Sequence, residues 1–302
     1  MAGKARIGVI GLGSMGLGAA NAALKAGFDV VGCDVNPESL ARFEAEGGKA
    51  TTSPAEAADG ASALVVLVVN AAQTRAVLFG EDGAAAKLAP GAVVISSATM
   101  APDDARAIAA EIEAVGFHYL DAPVSGGSAK AATGQLTVMA SGTPAAFAAA
   151  KPVLDAIAER VYELGDAAGI GAAYKIVNQL LAGVHIAAAC EAITFAAKLG
   201  LDLGEVYKVI TASAGNSWMF ENRVPHILEA DYSPKSAIDI FTKDLGIVSD
   251  IGRKEKFPLS IAATALQMFV ATSAAGMGRD DDSSVARLLA RITGVELPSP
   301  SK

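Results

Sequence analysis

Over the first half of the chain, short runs of β-branched and other apolar residues alternate with alanine-rich stretches whose apolar positions recur every three to four residues. That switching between a strand-like and a helix-like period predicts repeated βαβ units, and hence a mostly parallel, doubly wound α/β sheet. Strands are expected over 6–10, 29–33, 64–69, 93–96 and 118–122, with helices over 15–26 and 102–115. Pro102 suits a first helical turn, where its missing N–H leaves no hydrogen bond unmade. A strand over 135–140 precedes a helix that begins near Pro144 with Thr143 as its cap, and a last strand near 160–163 closes the domain.

Beyond Gly165 the strand-like runs stop. The stretch 172–199 is a long helical pattern without proline, suited to be the spine of a second domain. Helices over 204–214, 237–254, 258–277 and 284–292 follow, and the tail 298–302 reads as frayed. The expected organisation is an α/β domain over 1–165 followed by an all-α domain over 166–302, begun by the long helix.

Composition narrows the functional classes. With 302 residues, 52% hydrophobic and 19% charged, the chain has room for two packed cores. The longest strongly apolar run, 63–69, falls far short of the roughly 20 residues of a membrane span, and no signal-peptide hydrophobic region opens the chain. A cytoplasmic protein without a membrane partner is therefore expected. A net charge of -8 without a basic tract opposes nucleic-acid binding, which needs clustered cations. Cys33 and Cys190 read as small core residues, and His118, His185 and His226 lack the spacing of metal ligands.

The first chemical motif is Gly11-Leu12-Gly13-Ser14-Met15-Gly16, between the strand over 6–10 and the helix that follows. In that context a G-x-G-x-x-G loop binds a dinucleotide: Gly11 makes the tight turn, Gly13 lets the pyrophosphate approach the backbone, and Gly16 allows close packing of helix on strand. The helix N-terminus then faces the phosphates. This is the signature of a Rossmann domain. Asp34 ends the next strand, where a carboxylate accepts hydrogen bonds from the ribose hydroxyls and repels a 2'-phosphate. NAD is thus expected over NADP, with Val35 and Asn36 beside the adenosine end, although Arg42 lies within reach of that position.

Three further segments carry polar residues that folding alone does not require. They are Asp121-Ala122-Pro123-Val124-Ser125-Gly126-Gly127, the helix start Gly171-Ala172-Ala173-Tyr174-Lys175-Ile176-Val177-Asn178-Gln179, and Phe241-Thr242-Lys243-Asp244-Leu245. The first can present a hydroxyl and backbone N–H groups to a carboxylate. In the second, Lys175 and Asn178 lie three apart and share a helix face. In their order and spacing these segments and the glycine loop resemble the β-hydroxyacid dehydrogenase family, which includes 3-hydroxyisobutyrate dehydrogenase, tartronate semialdehyde reductase and 6-phosphogluconate dehydrogenase. The resemblance spans nearly the whole chain.

What the resemblance implies can be carried position by position. Lys175 is the catalytic acid/base, Ser125, Gly126 and Gly127 hold the substrate carboxylate, and Asn178 orients substrate. Thr99 touches the nicotinamide side of the cofactor. Lys243 reaches both cofactor and substrate, positioned by Asp244. The loop Val68-Val69-Asn70-Ala71 matches the family only in part. The segment from Asn216 to Arg223 is most similar to members that oxidise a four-carbon sugar acid, with the other small hydroxy acids of the family as alternatives; Trp218 and Phe220 suit either that cleft or the core. A noncatalytic NAD-binding protein is the rival from another class, and it has no need of a proton carrier such as Lys175. The family also implies a homodimer or homotetramer.

Overall fold

The computed structural model describes residues 4–299, so the last three residues of the expected frayed tail lie outside the described residues. The chain divides into two compact units, Met1–Lys175 and Ile176–Lys302. The first unit opens with β1 (Arg6–Ile10), α1 (Gly16–Lys25), β2 (Asp29–Cys33), α2 (Pro37–Ala45), β3 (Lys49–Thr51), α3 (Pro54–Ala58) and β4 (Ala63–Val66). It continues through α4 (Ala71–Phe79), β5 (Val93–Ser96), α5 (Pro102–Ala114) and β6 (His118–Asp121). These six strands form one parallel sheet in the order β3-β2-β1-β4-β5-β6. Both faces are covered. Ile7, Val9, Val65, Val93, Ile95 and Leu120 are buried on one side, and Val31, Leu64, Val66, Val94 and Tyr119 with Ile108 and Ile112 on the other, which is why the strands read as continuous apolar runs.

The segments after β6 depart from the expected single sheet. β7 (Val124–Ser125), α6 (Gly127–Ala132), β8 (Leu136–Ala140), α7 (Pro144–Ile157) and β9 (Ala158–Glu163) build a separate three-stranded sheet, with β8 antiparallel to β7 and parallel to β9. This sheet meets β6 through one antiparallel bridge, between Asp121 and Ser141. Caps set the helix starts: Asn36, Ser53, Asn70 and Thr143 each accept a backbone N–H of the following turn.

The helical unit begins within α8 (Ile170–Lys198) and continues through α9 (Leu203–Thr211), α10 (Trp218–Leu228), α11 (Ile238–Lys254), α12 (Ser260–Thr272) and α13 (Val285–Thr293). α8 and the segment Ser260–Met277 are long and apolar enough to cross a membrane by length and composition, which a search for one unbroken apolar run overlooks. Within its unit α8 is a core helix, with Ile186, Cys190 and Ile193 packed among Val224, Ile227, Phe241 and Phe269. α10 escapes the sequence pattern because Pro225 lies inside it. That proline leaves the Glu221 carbonyl without its helical donor, and the Tyr207 hydroxyl donates to it at 3.1 Å.

Both cysteines are buried, and burial pushes the Cys33 thiol up to about 12 and the Cys190 thiol upward as well. The helical unit also holds a buried ion pair: Arg223 Nε and Nη2 donate to the two oxygens of Asp282 at 2.6 and 3.0 Å. Beside it His226 Nδ1 lies 2.9 Å from Asp281. Burial raises Asp282 to about 6 despite the guanidinium. Its folded pKa thus exceeds the unfolded value of about 3.9, so the cost of keeping it charged appears as pH rises from about 4 through 6. Arg223→Met is expected to cost about 3–5 kcal/mol at pH 7.5 in urea denaturation, because it strands the buried carboxylate. The loss should shrink at pH 5, where Asp282 takes a proton instead; an equal loss at both pH values would refute this account.

Candidate active site

The glycine loop sits at the carboxyl end of β1, next to β4, where the strand order reverses. This is the switch point at which open α/β sheets leave a crevice for ligands. Gly11 has a φ of +93° and its N–H donates to the Cys33 carbonyl at 2.8 Å, so the loop is pinned to the end of β2. A Cβ at Gly16 would lie 1.7 Å from the Gly11 carbonyl oxygen, so the α1 start and the loop pack backbone to backbone. At Gly13 a Cβ would meet no protein atom within 4 Å. Gly13 and Ser14 face outward, and the first helical bond runs from the Leu17 N–H to the Gly13 carbonyl. The N–H groups at the start of α1 therefore precede the helical ladder and suit an anion.

Asp34 is half-buried at the end of β2. Its carboxylate accepts from the Leu12 N–H at 2.6 Å and the Asn36 N–H at 2.8 Å, which joins the glycine loop to the segment after β2. Val35 is 89% exposed, an apolar side chain with no protein packing against it. These residues fit a dinucleotide: an open backbone at Gly13, helix N–H groups, and a fixed carboxylate beside an uncovered apolar surface. Thr99 follows β5, half-buried between buried Ala98 and Met100. The 68–71 loop follows β4, held by Asn70, which accepts the Gln73 N–H, and by Gln73, which accepts the Val69 N–H.

Lys175 is 8% exposed and its Nζ donates to the Val124 carbonyl at 2.8 Å. The turn after Val124 carries half-buried Ser125 and then Gly126 and Gly127, with φ of 129° and 73°. Lysine and turn thus meet in the first unit. The start of α8 is seated on Asp121, which is 2% exposed. Its Oδ2 accepts the Gly169 N–H at 2.8 Å and the Ala172 N–H at 2.9 Å. Burial pushes Asp121 up to about 6, against the opposing pull of those N–H donors, Ser141 and Arg106.

In the helical unit, Asn178 and Lys243 are tied together by two residues. Asn178 Nδ2 donates to Gln179 Oε1 at 3.0 Å, Gln179 Nε2 donates to Asp244 Oδ2 at 2.5 Å, and Lys243 Nζ lies 2.5 Å from Asp244 Oδ1. Gln179 is buried, and the sequence motif that it ends assigns it no role. Of the aromatic candidates, Phe220 is a core residue stacked on Tyr207, whereas Trp218 is exposed. Arg223 is committed to Asp282, and Asn216 donates to Glu221 and to the Thr211 carbonyl.

A glycine loop at the switch point and a buried lysine beside an S-G-G turn define a dinucleotide-dependent dehydrogenase. Residues 6–165 match the model for the NAD binding domain of 6-phosphogluconate dehydrogenase, and residues 169–289 that for the NAD-binding domain of NADP-dependent 3-hydroxyisobutyrate dehydrogenase. The chain belongs to the β-hydroxyacid dehydrogenase family. It is 54% identical to L-threonate dehydrogenase of Cupriavidus necator over 98% of this chain and 99% of that protein. It is 49% identical to L-threonate dehydrogenase of Escherichia coli K12, covering 95% of each. The crystal structure of 3-hydroxyisobutyrate dehydrogenase from Salmonella typhimurium superposes with a TM-score of 0.90 at 52% identity, covering 94% of this chain and all 100% of that one.

The Asp34 geometry predicts the cofactor response. Asp34→Asn removes the charge that disfavours a 2'-phosphate and weakens the acceptor for the ribose hydroxyls. KM for NAD should rise on the order of tenfold, the cost of about one hydrogen bond to a charged group, while KM for NADP falls. Steady-state kinetics with both cofactors measures this, and an unchanged ratio would show that Asp34 does not discriminate.

Proposed function

We propose that the chain oxidises L-threonate at C2 with NAD, giving 2-dehydro-L-erythronate. The observation that carries the reaction is the buried Lys175 amine held 2.8 Å from the Val124 carbonyl, at the entrance to the S-G-G turn. Bound NAD supplies the hydride acceptor at C4 of its nicotinamide. Ser125 and the N–H groups of Gly126 and Gly127 hold the substrate carboxylate, which fixes C2 relative to Lys175. The neutral amine of Lys175 takes the C2 hydroxyl proton as the C2 hydride leaves and the C=O bond forms; in reverse its ammonium returns that proton. Asn178, one helical turn from Lys175, orients the hydroxyls, and the Gln179–Asp244 pair holds it in step with Lys243. Thr99 lies on the nicotinamide side.

The choice of L-threonate rests on the relatives that carry its name and on the segment from Asn216 to Arg223. The Salmonella structure bears a different substrate name, so a panel decides: L-threonate, 3-hydroxyisobutyrate, 4-hydroxybutyrate and, in the reductive direction, tartronate semialdehyde. L-threonate should give the highest kcat/KM. Silence on it with turnover of another acid would overturn the substrate, and NAD binding without turnover on any acid would revive a binding protein.

Lys175→Ala should lower kcat by about 100-fold or more, within the usual contribution of a general acid/base, while NAD binding by fluorescence titration stays intact. Because the amine must be neutral to accept a proton, the rate of oxidation should climb with pH above neutrality in the native chain and lose that climb in the variant.

The chain is also proposed to work as a homodimer or homotetramer. Tyr174, Val177, Leu181 and Phe195 lie exposed along one stripe of the 29-residue α8, a surface suited to a second copy. Sedimentation velocity should show an oligomer that Phe195→Glu shifts toward monomer; a monomeric native chain would remove this reading.

A further inference from the structure

We propose that Asp121 is a positioning residue for Lys175: with Ser141 it fixes the first turn of α8, and so sets where the lysine amine stands relative to the Ser125-Gly126-Gly127 turn. The inference rests on the reading of Lys175 as the acid/base.

The geometry is a closed circuit. Asp121 ends β6, and its Oδ2 accepts the N–H groups of Gly169 and Ala172, on either side of the first residue of α8. The Ser141 hydroxyl lies 3.4 Å from the same oxygen and accepts the Gly171 N–H at 2.9 Å. Three backbone donors at the start of α8 therefore end on two buried side chains. Ala172 is one turn before Lys175, whose Nζ donates to Val124, three residues along the chain from Asp121. The side chains that make these bonds, and Ala172 between them, are buried: Asp121 is 2% exposed, Ser141 0%, Ala172 2% and Lys175 8%. The fit is close. A Cβ at Gly171 would lie 2.3 Å from the Met139 carbonyl oxygen and 2.9 Å from that of Asp121, so the turn cannot slide without leaving its seat.

Main-chain hydrogen bonds between Asp121 and Ser141 also join the end of β6 to the segment after β8. One carboxylate thus ties together the strand that leads to the carboxylate-binding turn, the second sheet, and the helix that carries the amine. A buried acceptor serving a helix N-terminus is strongest when ionised. The charged and titratable groups facing Asp121 are Arg106 from α5 and the Tyr119 phenol on its own strand. Burial holds its carboxyl near 6. The folded pKa lies above the unfolded value of about 3.9, so falling pH adds the proton preferentially to the folded state and does not unfold the protein through this group. It replaces a charged cap by a neutral one.

The experiment uses the full chain in the reductive direction, with the 2-keto acid and NADH, where Lys175 enters as the ammonium and its own titration does not limit the acid side. Native kcat should fall below about pH 6 while far-UV circular dichroism stays constant. Asp121→Asn, a neutral acceptor of the same shape, should lose 10- to 100-fold in kcat at pH 7.5, the scale of a small misplacement of a reacting group. Its profile should be flat across pH 6, and KM for NADH should stay within about twofold. In a Lys175→Ala background the same change should add little further loss. Native kcat and an unaltered acid limb in Asp121→Asn would overturn the proposal. If that variant fails to fold, Ser141→Ala replaces it: losing the hydroxyl donor should move the acid limb upward, and an unmoved limb overturns the proposal. Failure of the parent reading looks different, because Lys175→Ala would then keep turnover by itself.

Discussion

Parallel pairing of β1, β2, β4, β5 and β6 is the constraint on which the first unit depends. Strands that run the same way deliver all their carboxyl ends to one edge, and each residue group expected at the cofactor follows one of them: Gly11 after β1, Asp34 after β2, the 68–71 loop after β4 and Thr99 after β5. Asp121 closes β6 on the same edge. The helices that return the chain between strands cover both faces, so the strands can be wholly apolar, and the polar chemistry is left to the loops where the ladder ends. The order of motifs along the chain is thereby converted into neighbours across a single edge.

Three groups of buried polar side chains are bound to one another inside the two units. Asp121 and Ser141 take the donors of a helix start, Gln179 and Asp244 join Asn178 to Lys243, and Arg223 meets Asp282 in a bidentate pair. Such sets contribute little net stability beside an apolar core of the same volume, since desolvation offsets most of the attraction. Their contribution is definition, and two of the three sit beside residues proposed above to act in hydride transfer.

The periodic elements were legible from the chain because burial on both faces or one face leaves a direct mark on residue type. β1, β2 and β5 fall where their apolar runs lie, and Thr143 caps α7 as its side-chain chemistry predicts. β3 and β7, three and two residues long, are too short to carry a period. α10 was hidden by Pro225, whose cost is offset by a hydroxyl donor from another helix. Lys175 and the S-G-G turn stand out as motifs in the sequence, whereas the hydrogen bonds of Asp121 do not, since its donors lie 48 and 51 residues away. A buried aspartate and a solvated one look alike in sequence; only the fold supplies the partner. The same holds for Gln179, which meets Asp244 across 65 residues.

The two buried thiols give the molecule a property unrelated to its catalysis. Cys33 and Cys190 are both sealed in cores and held protonated by their surroundings, and the thiolate is the form that reacts with electrophiles and oxidants. The folded chain is therefore a silent background for cysteine chemistry. A single cysteine introduced at an exposed position such as Val35 becomes the one addressable handle, so a dye or spin label can be set just beyond the end of β2 without first removing either native residue.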